Sequence, residues 1–174
     1  MKIIGIDPGT SIVGFSIIEA SKSGYELLDY GCIKTKSGLP LEEKLTEISR
    51  DLARIIKEWK PTHASIEKVF FSKNIKTAIS VAHSRGVIME TLHKKGIGLY
   101  EFTPQQIKLS VCGYGKAGKE NVQKMIQIIF GLASAPKPDD TSDAIAASYC
   151  LANSLKLKID GIRAVYQRRK TDKS

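Results

Sequence analysis

Lys2-Ile3-Ile4-Gly5-Ile6-Asp7-Pro8-Gly9-Thr10 starts as an apolar run and ends on a charge followed by a turn. Branched aliphatic residues favour an extended, half-buried backbone, and Pro8-Gly9 cannot continue it, so the stretch is a strand closed by a turn. Asp7 is the last residue of that strand. A carboxylate ending a buried strand is costly to desolvate unless something compensates it, and a divalent cation shared among several such groups is the usual compensation.

Outward from this strand the pattern continues. Gly14 to Ala20 and roughly Tyr25 to Thr35 are β-rich, separated by the polar turn Ser21-Lys22-Ser23-Gly24, which makes the first third an antiparallel meander. Leu41 to Trp59 carries Leu45, Ile48, Leu52, Ile55 and Ile56 at helical spacing and stops at Lys60-Pro61. His63 to Glu67 is a short strand, Lys73 to Lys95 a second long helix, and Ile97 to Phe102 a last strand. Pro104 opens a short helix that Gly113-Tyr114-Gly115 breaks; Lys119 to Phe130 forms another, and after Pro136 and Pro138 a final helix starts near Asp140. Three strands followed by alternating helix and strand predict an α/β domain, a mixed five-stranded sheet flanked by helices.

At 174 residues the chain is about one domain. With 42% hydrophobic and 26% charged residues, composition alone names no function. The charge says more: 27 Lys and Arg against 18 Asp and Glu leave +9, which suits a phosphate-rich partner. More than half of that excess lies in residues 156 to 174, where Lys156, Lys158, Arg163, Arg168, Arg169, Lys170 and Lys173 face only Asp160 and Asp172. Residues 1–157 therefore form the expected domain and 158–174 a basic, solvated tail; a solubilising end and a DNA-contacting one are both open. Cys32, Cys112 and Cys150 are odd in number with no C-x-x-C pairing, which argues against a disulfide framework or zinc site and fits a reducing cytoplasm. The apolar start is too short for a membrane span and is interrupted at Asp7-Pro8, unlike a signal peptide.

Three further acids join Asp7. Glu67 closes the run Ala64-Ser65-Ile66, and Asp140 and Asp143 open an alanine-rich helix. If the strand of Glu67 runs parallel beside that of Asp7, the backbones lie ~4.8 Å apart and both carboxylates can face one cation. Asp140 and Asp143, at i and i+3, share a helix face and can be delivered together. Oxygen donors without a His or Cys cluster favour Mg²⁺ or Mn²⁺ over zinc, and two ions ~3.5–4 Å apart suit in-line displacement at phosphorus. Taken singly each acid has a plainer explanation: Asp140 or Asp139 as a helix cap, Asp143 as an acid favoured by the helix dipole, Asp7 as a turn residue, Glu67 paired to Lys68 or Lys73.

The motifs Gly5-Ile6-Asp7-Pro8-Gly9-Thr10, Ile66-Glu67-Lys68-Val69-Phe70-Phe71 and Asp140-Thr141-Ser142-Asp143-Ala144, in this order, resemble the RuvC family of Holliday junction resolvases. Lys73-Asn74, Ser84-Arg85-Gly86, Thr103-Pro104-Gln105-Gln106-Ile107-Lys108 and Gly113-Tyr114-Gly115-Lys116-Ala117-Gly118-Lys119 match as well, so the resemblance runs from Lys2 to about Leu155. It implies a ribonuclease H-like fold and a homodimer that nicks two opposed strands of a four-way DNA junction. It also implies about two Mg²⁺ per site, with Mn²⁺ substituting. By position Asp7, Glu67, Asp140 and Asp143 match the family's metal-binding catalytic acids; some members carry His at the position of Asp140. Lys108 and Lys119 match basic residues near the scissile phosphate, and Lys116 lies in the same block. Phe70 matches a DNA-contacting aromatic, with Phe71, Lys73 and Asn74 as further contacts from the same loop. Ala82, Ser84 and Gly86 would let two copies of the long helix approach closely. RuvA- and RuvB-type branch-migration proteins are the further candidate partners. Three rivals remain: an actin or Hsp70-like ATPase, whose first phosphate motif is similar but which needs a far longer chain; another ribonuclease H-like nuclease; and a non-catalytic junction-binding protein.

Overall fold

The chain runs β1 (Lys2–Asp7), β2 (Ile12–Ala20), β3 (Tyr25–Lys34), α1 (Leu41–Trp59), β4 (His63–Glu67), α2 (Ile75–Lys94), β5 (Gly98–Phe102), α3 (Pro104–Cys112), α4 (Lys119–Phe130) and α5 (Asp139–Lys156). This is a computed structural model that describes residues 1–68 and 75–156, with backbone alone at 75–77. Phe70, Phe71, Lys73, Asn74 and the basic tail from 158 lie outside the described residues. The strands form one mixed sheet in the order β3-β2-β1-β4-β5, antiparallel through the meander and parallel from β1 to β4 to β5. That is the α/β architecture the patterning predicts.

Element limits differ from expectation by one or two residues. The largest shift is at β2, which begins at Ile12 rather than Gly14. The cause is a tight reversal after Pro8: a Cβ on Gly9 would lie 2.2 Å from the Ile12 carbonyl oxygen, so glycine lets the chain turn back at once. The turn is held from outside by α2, whose Ser84 Oγ donates to the Gly9 carbonyl at 2.7 Å and whose Ser80 Oγ donates to Thr10 Oγ1 at 3.1 Å.

Strand alternation divides the interior into two layers. On one face Ile4, Ile6, Ile17, Ala64, Ile66 and Leu99 pack with Ile48, Leu52 and Ile56 of α1 and Ile88 and Leu92 of α2. On the other, Ile3, Ile18, Tyr100 and Phe102 pack with α3, α4 and the buried flank of α5. Full burial of one such aliphatic side chain is worth roughly 1.5–3 kcal/mol, so these layers supply most of the driving force. Odd-numbered residues of β1 and β4 face α5, and so Asp7 and Glu67 both point to that side. Among the described residues no helix is long and apolar enough to cross a membrane.

Candidate active site

Parallel pairing of Ile6 with Ile66 sets Asp7 and Glu67 side by side, one residue further along their strands. Across the other edge of β1, Asp7 pairs with Gly14 of β2. A Cβ on Gly14 would stand 2.0 Å from the backbone oxygen of Asp140, and one on Gly5 would stand 2.1 Å from that of Ala144. Only glycine at these two positions allows the backbone of α5 to rest directly on the sheet. Hydrogen bonds then fix it: Ser16 Oγ donates to the Ala144 carbonyl at 2.9 Å, Ser16 and Ser148 hydroxyls lie 2.8 Å apart, and Cys32 Sγ is 3.1 Å from Thr141 Oγ1. Seated this way, the first turns of α5 bring Asp140 and Asp143 to Asp7. Asp139 and Asp140 both lie inside the first turn of α5.

The four acids interact strongly. Burial, with repulsion from Asp143, Glu67 and Asp140 added in that order, pushes the Asp7 carboxyl from 3.8 up to about 8. Burial and then Asp143 raise Glu67, while Lys108 works in the opposite direction. Burial also raises Asp143, against the pull of Lys119. Among the described residues no three His, Cys, Asp or Glu side chains close into a ready cation cage, so the tight oxygen cage expected from the sequence is a looser cluster here. The Lys119 ammonium takes up part of the carboxylates' charge.

Two cations stand at the cluster. Thr103 and Gln106 form a reciprocal capping box at the start of α3, with Pro104 in its first turn, and burial of Ile107 and Val111 orients that helix. Lys108 consequently lines a cleft of about 240 Å³ together with Glu67, Lys119 and Asp143 over an apolar floor that includes Pro104, Ile107 and Val122. Lys119 is the first residue of α4 and shares a flank with buried Val122 and Ile126. Its Nζ lies 3.2 Å from Asp139 Oδ2 and 3.5 Å from Asp143 Oδ2. Burial works against the Lys119 charge, but Asp143 and Asp139 outweigh it and hold the ammonium above its usual range. The hydrogen bond from Lys119, then that from Gln123, keeps the Asp139 carboxyl below its own.

Asp7, Glu67, Asp140, Asp143, Lys108 and Lys119 are thus gathered at one place, and Lys116 is exposed on the loop between α3 and α4. Glu67 forms no ion pair with Lys68 among the described residues. Ser84 departs from expectation: it is fully buried against the Gly9 turn, because a hydroxyl on the inner side of α2 finds a carbonyl there. Ala82 and Gly86 are exposed, and Ile79, 48% exposed, joins them on the same side of the helix. The sequence reading missed Gly14, Ser16, Cys32 and Thr141 as the seat of α5, and Gln123 as a partner of the acidic helix start. A clue for the first group was the run of small residues on alternate positions of β1 and β2, Gly5, Gly14 and Ser16. Gln123 gave none.

A family model described as crossover junction endodeoxyribonuclease RuvC matches residues 3–151. A relative of that name from Halothermothrix orenii is 44% identical over 157 residues, covering 90% of this chain and 95% of its own. Two solved structures share 27% identity: Thermus thermophilus RuvC, with a TM-score of 0.84 over 91% of this chain and 97% of that one, and T. thermophilus RuvC in complex with Holliday junction substrate, with 0.85 over 91% and 96%. Sheet order, the meeting of the four acids and these matches agree, and the chain belongs to the RuvC family of crossover junction endodeoxyribonucleases.

Proposed function

We propose that this protein is a structure-selective endonuclease that resolves four-way DNA junctions by nicking two opposed strands. The observation that carries the proposal is the meeting of Asp7, Glu67, Asp140 and Asp143 at a cleft flanked by two lysines. Burial and then three neighbouring carboxylates push Asp7 up to about 8, against only a partial offset from Lys119. Their donors are all oxygen, so they fit a hard divalent cation, Mg²⁺ with Mn²⁺ able to substitute, about two per site. When bound, such ions activate water and neutralise charge on the phosphoryl oxygens.

The chain's own residues do the rest. Asp7, Glu67, Asp140 and Asp143 hold the cations, and the apolar floor of the cleft limits water at the reacting phosphate. Lys108 and Lys119, both lining the cleft, hold that phosphate, Lys119 at a helix start whose free N–H groups already favour an anion. Lys116 extends the basic rim. Phe70, Phe71, Lys73 and Asn74 follow Glu67 directly in the chain; the aromatic rings are suited to stack on unpaired bases, and the polar pair to hold phosphate or sugar. Two copies meet through the exposed stripe Ile79, Ala82 and Gly86 of α2, and a two-fold dimer suits a near-symmetric junction. The protein works in the cytoplasm, with RuvA- and RuvB-type proteins as the candidate branch-migration partners.

The test is cleavage of a synthetic four-way junction by the purified full chain with Mg²⁺. The native protein should nick two opposed strands. Asp7→Asn should abolish cutting yet keep or tighten binding, because losing a negative charge lessens repulsion of phosphate. Binding should weaken with salt as released counterions lose their entropic advantage. A native protein that binds the junction but leaves it intact with either metal would support a purely architectural role, and cutting by Asp7→Asn at the native rate would remove the acids from the reaction.

A further inference from the structure

Asp139, the first residue of α5, is more exposed than Asp143 one turn on, 59% against 33%. Its two oxygens are nonetheless both engaged. Oδ1 accepts from Gln123 Nε2 at 3.0 Å, and Oδ2 lies 3.2 Å from Lys119 Nζ. The same ammonium is 3.5 Å from Asp143 Oδ2. Lys119 thus bridges an acid inside the cluster and an acid outside it. Gln123, four residues on along α4 and so on the same flank as Lys119, braces the outer one.

We propose that Asp139, braced by Gln123, is a positioning residue for Lys119, keeping its ammonium at the cleft mouth instead of letting it settle on Asp143. The inference rests on reading the cleft as the cutting site. A tight charge-assisted contact between ammonium and carboxylate is about 2.7–2.9 Å, and both distances here are longer. The ammonium is shared between two acids and tight to neither, which leaves it able to turn to a phosphate. With Asp143 alone as partner, a lysine on its flexible four-carbon stem would neutralise a carboxylate that the cluster needs for its cations.

The experiment is a double-mutant cycle on the full chain. Asp139→Asn is made with native Lys119 and in a Lys119→Met background, and both nicking of a four-way junction with Mg²⁺ and metal-free junction affinity are measured. With Lys119 present, Asp139→Asn should lower kcat about twofold to fivefold, the range for one exposed charge pair, with KM nearly constant. Asp139→Glu should restore most of it, and Gln123→Ala should reproduce a smaller loss. In the Lys119→Met background, Asp139→Asn should leave kcat unchanged. Metal-free affinity reads the same coupling without chemistry: removing the acid should tighten binding when Lys119 is gone, and that gain should be cancelled when Lys119 is present. Equal shifts in the two backgrounds would overturn the proposal, leaving Asp139 as a general surface charge. A native protein that binds the junction without nicking it would defeat the cutting site while leaving the affinity cycle to judge Asp139 on its own.

Discussion

Toward α1 and α2 the sheet presents Ile4, Ile6, Ile17, Ala64 and Ile66; toward α5 the same three strands present Gly5, Asp7, Gly14, Ser16, Ser65 and Glu67. The first face is filled by branched side chains that interdigitate with those of two helices, and its contribution is burial. On the second face a helix backbone lies directly on glycine, serine hydroxyls bond it in place, and acids sit at the end of the seam. Side-chain layers have many near-equivalent packings, whereas a backbone resting on a backbone has almost none. Burial stabilises both sides of the sheet, since Ile3, Ile18 and Phe102 pack against the helices on the α5 side too, but the close backbone seating that fixes the acids belongs to that side alone.

The charge strain on the α5 side predicts the largest effect. Without cations the folded Asp7 carboxyl, pushed up to about 8, keeps a proton that the unfolded chain releases near 3.8. The folded state binds the extra proton, so its contribution to stability is fully present at low pH and is lost as pH rises through that window, by at most roughly 1.4 kcal/mol per pH unit. Asp7→Asn removes the largest part of the dependence and leaves that of Glu67 and Asp143, which burial also raises. The metal-free variant should then exceed the native protein by several kcal/mol at about pH 9 and match it near pH 4, read by denaturant titration across that range. A native profile that is flat, or that rises with pH, would break the account of the cluster.

Next in size is a pair of substitutions, one on each face. Ile48→Ala, in the layer against α1, should destabilise by about 2–5 kcal/mol while the folded fraction keeps its nicking rate within about twofold. Gly14→Ala drives a Cβ into the Asp140 carbonyl and displaces the turn that carries two acids. Its kcat should fall on the order of 100-fold, as small misplacements of reacting groups do, with junction affinity preserved. If the two variants exchanged signatures, the division of labour between the faces would be wrong.

The smallest effect sharpens the contrast. Ser65 Oγ is buried on the α5 side with no hydrogen-bond partner among the described residues. Relieving that orphan hydroxyl in Ser65→Ala should be neutral or stabilising by up to about 1 kcal/mol, measured by thermal or denaturant unfolding. A loss of several kcal/mol would mean that the hydroxyl has a role in the seam that its surroundings do not reveal.

Much of this was legible in the chain because local rules and tertiary needs coincide. The apolar run in Lys2 to Asp7, the helical spacing in Leu41 to Trp59 and the helix-opening Pro104 each act over a few residues, and each element forms where they place it. Asp7 and Glu67 stood out because a charge at the end of an apolar run conflicts with burial, and such a conflict points to function, whereas Asp140 and Asp143 stood out only through the motif that holds them. Less was legible where the partner is distant in sequence. Ser84 belonged to a pattern of small residues on α2, yet its hydroxyl serves the Gly9 carbonyl 75 positions away. Asp139 could be weighed only as a helix cap, since nothing local couples it to Gln123 or to Lys119.

Periodicity and turn chemistry in the 174 residues were enough to set the order of elements and the sheet class, because those depend on near neighbours and on the alternation of strand faces, and the order of the motifs singled out the four acids through a resemblance. Three-dimensional packing alone chose how closely α5 approaches β1 and β2, which acid holds Lys119, and how far Asp7 is driven from its ordinary proton affinity. Those depend on a seam so close that a Cβ on Gly14 would stand 2.0 Å from the Asp140 carbonyl oxygen, between residues more than a hundred positions apart, and on electrostatic repulsion that exists only once burial has removed the water between them.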